Sequence, residues 1–132
     1  MANMIAMFAE GEFMINIPVR KGYEAVEKVL TAHDFVLLGS EDGIYLFSGE
    51  LHSEVVVAVG EGGVITACMY EKSELSKKEM NNLCKSLCEQ AIKKFGKPHV
   101  KQKGTDIAWF FSDYMFAISK EKGTVSVEWF KN

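Results

Sequence analysis

Apolar and polar positions change period several times along this chain. Phe13, Ile15 and Ile17 alternate with Met14 and Asn16, which predicts a short strand ended by Pro18. From residue 22 to 33 the period lengthens: Tyr23, Val26, Val29, Leu30 and His33 fall at helical spacing and predict a first, short helix. Strands are then expected over Phe35 to Leu38, Ile44 to Phe47, Val55 to Val59 and Val64 to Tyr70. The turn formers Gly39 to Gly43, Gly49 to Ser53 and Gly60 to Gly63 separate them, and links this short join antiparallel neighbours into a meander.

A second helix is announced by Ser76, followed three residues later by Glu79 as a capping box. Met80, Leu83, Cys84, Leu87, Cys88, Ala91, Ile92 and Phe95 form one apolar stripe before Gly96 stops the helix and Pro98 forbids its resumption. So wide a stripe must be buried, and one face of the sheet is its natural cover. A second meander follows through His99 to Lys101, Ile107 to Phe111, Met115 to Ser119 and Thr124 to Phe130, with turns at Gly104-Thr105-Asp106 and Lys120 to Gly123.

The two halves read alike. Tyr45-Leu46-Phe47-Ser48-Gly49 answers Trp109-Phe110-Phe111-Ser112-Asp113, Gly63 to Tyr70 answers Gly123 to Phe130, and Ala25-Val26 with Val29 answers Ala91-Ile92 with Phe95. The offsets of 66, 64 and 60 residues suit a duplicated unit with small changes in loop length. The expected fold is therefore α+β: a tandem α-β4 repeat over approximately 22–70 and 76–130, within a single domain 1–132, with two helices packed on one face of an antiparallel sheet.

With two helices for about eight strands, the far sheet face is left open. Alternation splits the last strand of each half into two sets. Ile65, Ala67 and Met69 with Val125, Val127 and Trp129 are uniformly apolar and are expected under the helices. Thr66, Cys68 and Tyr70 with Ser126, Glu128 and Phe130 are mixed, and are expected outward. Tyr70, Glu128 and Phe130, with Thr66 and Ser126 around them, are the candidate partner-binding residues, because aromatics inside a polar rim resemble a protein interface. Tyr45, Phe47, Trp109 and Phe111 have apolar neighbours on both sides, so period does not assign their face. An alternative gathers Tyr45, Trp109 and Phe111 around a ligand pocket between helices and sheet.

Composition removes several function classes. The 132 residues are 48% hydrophobic and 25% charged, enough for a core without staples. Three cysteines cannot all pair with one another, and Cys84 and Cys88 sit on the buried stripe, so free thiols and a cytoplasmic setting are expected; the alternative is a secreted chain whose leader has been removed. Met1 to Glu10 lacks a basic region and makes a poor secretory signal, and no apolar run is long enough to span a bilayer. Net charge is -3, with ten acids against Arg20, Lys21 and Lys28 up to residue 63 and eight acids against twelve lysines afterwards. The basic run Lys93 to Lys103 lacks the arginines and interleaved aromatics that nucleic-acid binding wants.

Catalytic and metal chemistry find little support. Cys84 and Cys88 would need two further ligands for zinc, and His33, His52 and His99 are spread over loops or a helix end. No serine or cysteine stands in a nucleophile elbow, and Glu61-Gly62-Gly63 is too short and acidic to cradle phosphate. The chain is read as no enzyme, with no cofactor and no metal.

The order helix, four-stranded meander, helix, four-stranded meander resembles the beta-lactamase inhibitor protein family over about residues 22–130, by topology and by the paired blocks quoted above. That resemblance implies two units joined into one sheet with an exposed concave face, and it carries over no functional residue. Resemblance and open face together imply a non-enzymatic interaction protein, of the kind that acts as inhibitor, immunity factor or chaperone-like adaptor. Its expected partner is a protein or a second copy of the chain, with neither nucleic acid nor membrane involved.

Overall fold

The computed structural model describes residues 4–7, 14–50, 52–102 and 106–132. Strands β1 (Met4–Met7) and β2 (Met14–Ile17) pair antiparallel as a separate hairpin. A 3-10 turn at Val19–Lys21 leads into α1 (Tyr23–Ala32), followed by β3 (Val36–Glu41), β4 (Ile44–Ser48), β5 (Ser53–Val59) and β6 (Ile65–Lys72). Then come α2 (Lys77–Phe95), β7 (Val100–Gln102), β8 (Asp106–Phe110), β9 (Tyr114–Glu121) and β10 (Thr124–Lys131). The order of one helix and four strands thus occurs twice. The eight strands β3 to β10 form one antiparallel sheet in the order β3-β4-β5-β6-β10-β9-β8-β7, so the last strands of the two halves meet at its centre. The fold is α+β.

Local chemistry explains the elements. Ser76 and Glu79 close a reciprocal capping box on α2, with Glu79 N–H donating to Ser76 Oγ at 3.1 Å and Ser76 N–H donating to Glu79 Oε1 at 3.0 Å. Gly96 ends the helix at φ +84°, a conformation that favours glycine, and its carbonyl accepts from Trp109 Nε1 at 2.9 Å, which ties the helix end to β8. Asp42-Gly43 and Lys122-Gly123 turn the β3–β4 and β9–β10 hairpins with positive φ at both positions, the requirement of a two-residue mirror-image turn. The expected turn at residues 104 and 105 and the position Phe13 lie outside the described residues.

Register fixes which side chains share a face. One row runs Phe47, Val55, Tyr70, Val127, Ile118, Ile107 from β4 to β8, and the next runs Tyr45, Val57, Cys68, Trp129, Phe116, Trp109. Ten of these twelve are at most 2% exposed; Ile107 is 5% exposed and Tyr45 is partly open. Both helices cover this same side. The Tyr23 ring of α1 lies 4.1 Å from Tyr45 centroid to centroid, and Phe95 of α2 lies 4.9 Å from Phe116 and 5.9 Å from Trp109. The β1–β2 hairpin joins that layer, with β1 against α2 and β10 and β2 against α1. Burying aromatic and branched residues of this size stabilises by about 1.5–3 kcal/mol each.

One expectation fails in β6. Tyr70 and Cys68 are each only 1% exposed and belong to the helix-covered face, while Ala67 and Met69 stand on the other. The cause is a bulge. Ala58 pairs with Ala67 but Val59 pairs with Ile65, so Thr66 is an extra residue on β6, and alternation changes phase across it. Ile65 and Cys68, three positions apart, therefore both point inward. In β10, which has no such break in its register with β6 or β9, Val125, Val127 and Trp129 are buried as expected. The blocks that align Tyr70 with Phe130 thus end in residues on opposite faces.

Candidate functional site

The side of the sheet away from the helices carries three rows of its own. The first runs Ile44, Ala58, Ala67, Phe130, Met115, Phe110, and the second Leu46, Val56, Met69, Glu128, Ala117, Ala108, Val100. The third is polar: Ser48, Glu54, Glu71, Ser126, Ser119. Thirteen positions in two adjacent rows thus contain a single charged residue, Glu128, and the rest are apolar. Phe110 is 50% exposed, Ile44 and Val100 are 46% exposed and Phe130 is 39% exposed. None of the described helices or hairpins lies over these rows. At about 4.8 Å per strand step, the six steps from β4 to β7 make this band roughly 29 Å long.

Of the candidate partner-binding residues, Glu128, Ser126 and Phe130 stand together on this open face, and Thr66 is exposed at the bulge beside it, its hydroxyl donating to the Ala58 carbonyl at 3.3 Å. Tyr70 is not among them. Its ring is in the core, where the Ser53 side chain hydrogen-bonds it and burial pushes its phenol up to about 12. Phe110, Met115, Leu46 and Ile44, which the period did not single out, complete the face together with Met69, which the period placed under the helices and the β6 bulge turns outward. The signal of the first four was present as exposed-side alternates of β4, β8 and β9, but it could not be read because both faces of those strands are apolar.

At the β3 edge the rows meet Gly39 and Glu41, opposite Leu46 and Ile44. Leu38, Gly39, Ile44 and Leu46 line an open groove of about 640 Å³ there, together with Ser40, Glu41 and Asp42. Val36, Leu37 and Leu38 are 61%, 41% and 63% exposed. The opposite edge, β7, is three residues long and is flanked by Lys97 and bears Lys101, the usual protection of a sheet edge. His99 serves this edge: its Nδ1 accepts the Phe110 N–H at 2.8 Å and its ring meets Phe111 edge-on.

The alternative pocket of Tyr45, Trp109 and Phe111 does not form. β4 and β8 are separated by β5, β6, β10 and β9, five strand steps or roughly 24 Å. Trp109 is fully buried against Phe95 and Phe116, Phe111 packs on Phe95 and Tyr114, and Tyr45 packs on Tyr23. These aromatics fill the two ends of the core.

The cysteines are packing residues in geometry. Cys84 Sγ and Cys88 Sγ lie 4.0 Å apart on α2, and hydrogen bonding with Cys84, followed by burial, raises the Cys88 thiol. Cys68, expected outward, is fully buried, and desolvation pushes it up to about 12. Among the described residues no three His, Cys, Asp or Glu side chains are grouped to hold a metal ion, and no helix is long and apolar enough to cross a membrane.

No protein-family model matches the chain, and neither a curated protein nor a solved structure matches it.

Proposed function

We propose that the chain is a non-enzymatic protein-interaction module that docks a partner protein on the uncovered sheet face. The observation that carries this reading is the apolar band from β4 to β8, continued to β7 by Val100, in which Glu128 is the one charge before Glu41 ends it on β3. A merely solvated antiparallel face alternates to polar residues, and contiguous apolar surface rimmed by polar side chains is the mark of a docking site. Phe110 and Phe130, two strands apart beside Met115, are the anchors, since half-exposed aromatics gain most from desolvation.

Charge narrows the partner. The three rows hold Glu54, Glu71 and Glu128 and no lysine or arginine. Such a face repels a phosphate backbone or an anionic membrane and suits a protein surface that is apolar at its centre and basic along one side. A second copy would bring no base to these rows, so a different protein is favoured over self-association. Inhibitor, immunity and adaptor roles all use such a face. The same reading takes the two α-β4 halves as copies of one ancestral unit, an idea supported by their common element order and by the paired blocks of aromatic residues.

A photo-crosslinking residue at Met115, compared with one at the exposed Lys78 on α2, tests the proposal in cells. Adducts with one other protein from position 115 alone, lost when Phe110 and Phe130 become serine, are expected. Adducts equal at both positions, or only between copies of the chain, overturn it.

A further inference from the structure

The helix-covered side holds a second feature, independent of the open face. Below the 3-10 turn, a cavity of about 310 Å³ is lined by Arg20, Lys21, Gly22, Val64, Trp129 and Lys131 among others. That volume is at the lower end of the range for small-molecule sites. Four separate observations give it a preference for negative charge.

The ten-residue helix α1 begins at its wall. Its N-cap is Gly22, which lines the cavity and supplies no side-chain cap, so the positive end of the helix dipole lies at this wall, with Glu24 in the first turn offsetting part of it. Gly22 sits at φ +91° and the carbonyl of Gly63, on the β5–β6 turn, is 3.4 Å from where a Cβ would be. Three cations, Arg20, Lys21 and Lys131, line the cavity against one acid, Asp113, which pairs with Arg20. The Arg20 guanidinium is also held 5.2 Å above the Tyr114 ring, so it is positioned before any ligand arrives. Lastly, Trp129 is 2% exposed and its Nε1–H, buried with it, finds no acceptor among the described residues. An orphaned buried donor is unfavourable, and an acceptor atom brought by a ligand would offset that cost. By contrast Trp109, the other tryptophan, has its acceptor in Gly96.

We infer that this cavity is a binding site for a small carboxylate with an apolar body. Its carboxylate oxygens meet the α1 N-terminus, Lys21 and Lys131, and one oxygen accepts from Trp129 Nε1–H. Its apolar part lies against Val19, Val64 and Ile65, which also line the cavity. With Arg20 already matched by Asp113, Lys21 and Lys131 are left to meet the anion, and the apolar wall of Val19, Val64 and Ile65 suits an anion with an apolar body better than inorganic phosphate.

The probe is benzoate, titrated into the nitrogen-15 labelled full chain while the indole N–H resonance of Trp129 is followed, with neutral benzamide as the isosteric control. Benzoate should move that resonance saturably and benzamide should not. Lys21→Gln with Lys131→Gln, both exposed in the free protein, should weaken benzoate binding about tenfold or more while the indole spectrum of the free protein stays folded. No saturable movement, equal movement with benzamide, or unchanged affinity in the double variant each overturns the site. Phe110→Ser with Phe130→Ser should leave benzoate binding intact, so failure here and failure of the docking face are told apart.

Discussion

Tyr70 and Phe130 occupy corresponding places in the paired blocks, yet one is 1% and the other 39% exposed. Truncating Tyr70 to serine empties a space between Val55 and Val127 and strands the Ser53 hydroxyl, and should cost about 3–5 kcal/mol in chemical denaturation. Phe130→Ser should stay within about 0.5–1 kcal/mol of the parent, because its side chain is not in the core. Cys68 provides a second reading of the same bulge. Burial raises its thiol to about 12, so it should resist alkylation at pH 8 until the protein unfolds, and rapid labelling of Cys68 in the native state would put β6 in the other phase. Period counting could not have found this. Alternation assumes one residue per partner, and the extra Thr66 leaves no trace in hydrophobicity, only a nearby glycine-rich turn at Gly60 to Gly63.

At the level of elements, the features legible in the sequence are those with local chemistry. The Ser76/Glu79 box and the Gly96 stop form as expected, while the turns expected over Gly39 to Gly43 and Lys120 to Gly123 narrow to Asp42-Gly43 and Lys122-Gly123, because β3 and β9 run on to Glu41 and Glu121. Ser76→Ala should cost about 1 kcal/mol and speed amide exchange in the first turn of α2. Acid should act at the same place. Hydrogen bonds with the Ser76 backbone, then with its side chain, hold the Glu79 carboxyl below its ordinary value of 4.5, so its contribution is present above that pH and is lost as pH falls through the lower folded value. Protection factors at residues 77–80, taken against the intrinsic exchange rate at each pH, should therefore fall on acidification, and Glu79→Gln should remove that change in protection. Less was legible where structure depends on distant pairing. β1 reads only as a short apolar run, Met4 to Met7, and becomes a strand through β2. The inward faces of Tyr45 and Trp109 are set by α1 and α2, while their outward neighbours Leu46 and Phe110 are equally apolar.

For the molecule as a whole, the helices, the hairpin and one sheet face make the core, and the other face remains apolar without a described cover. A face that contributes to binding and not to the core has a distinctive signature under mutation: association falls while stability does not. Phe110 and Phe130 are the residues to change, since Tyr70, which the sequence pattern placed beside them, belongs to the core. The decisive measurement is the affinity of Phe110→Ser/Phe130→Ser for the protein crosslinked from position 115, taken together with its melting temperature. Loss of two anchors at about 2 kcal/mol or more each should weaken association by roughly a thousandfold, with the melting temperature within about 3 °C of the parent. Undiminished affinity, or a melting temperature that falls by roughly 10 °C or more, would contradict the docking face.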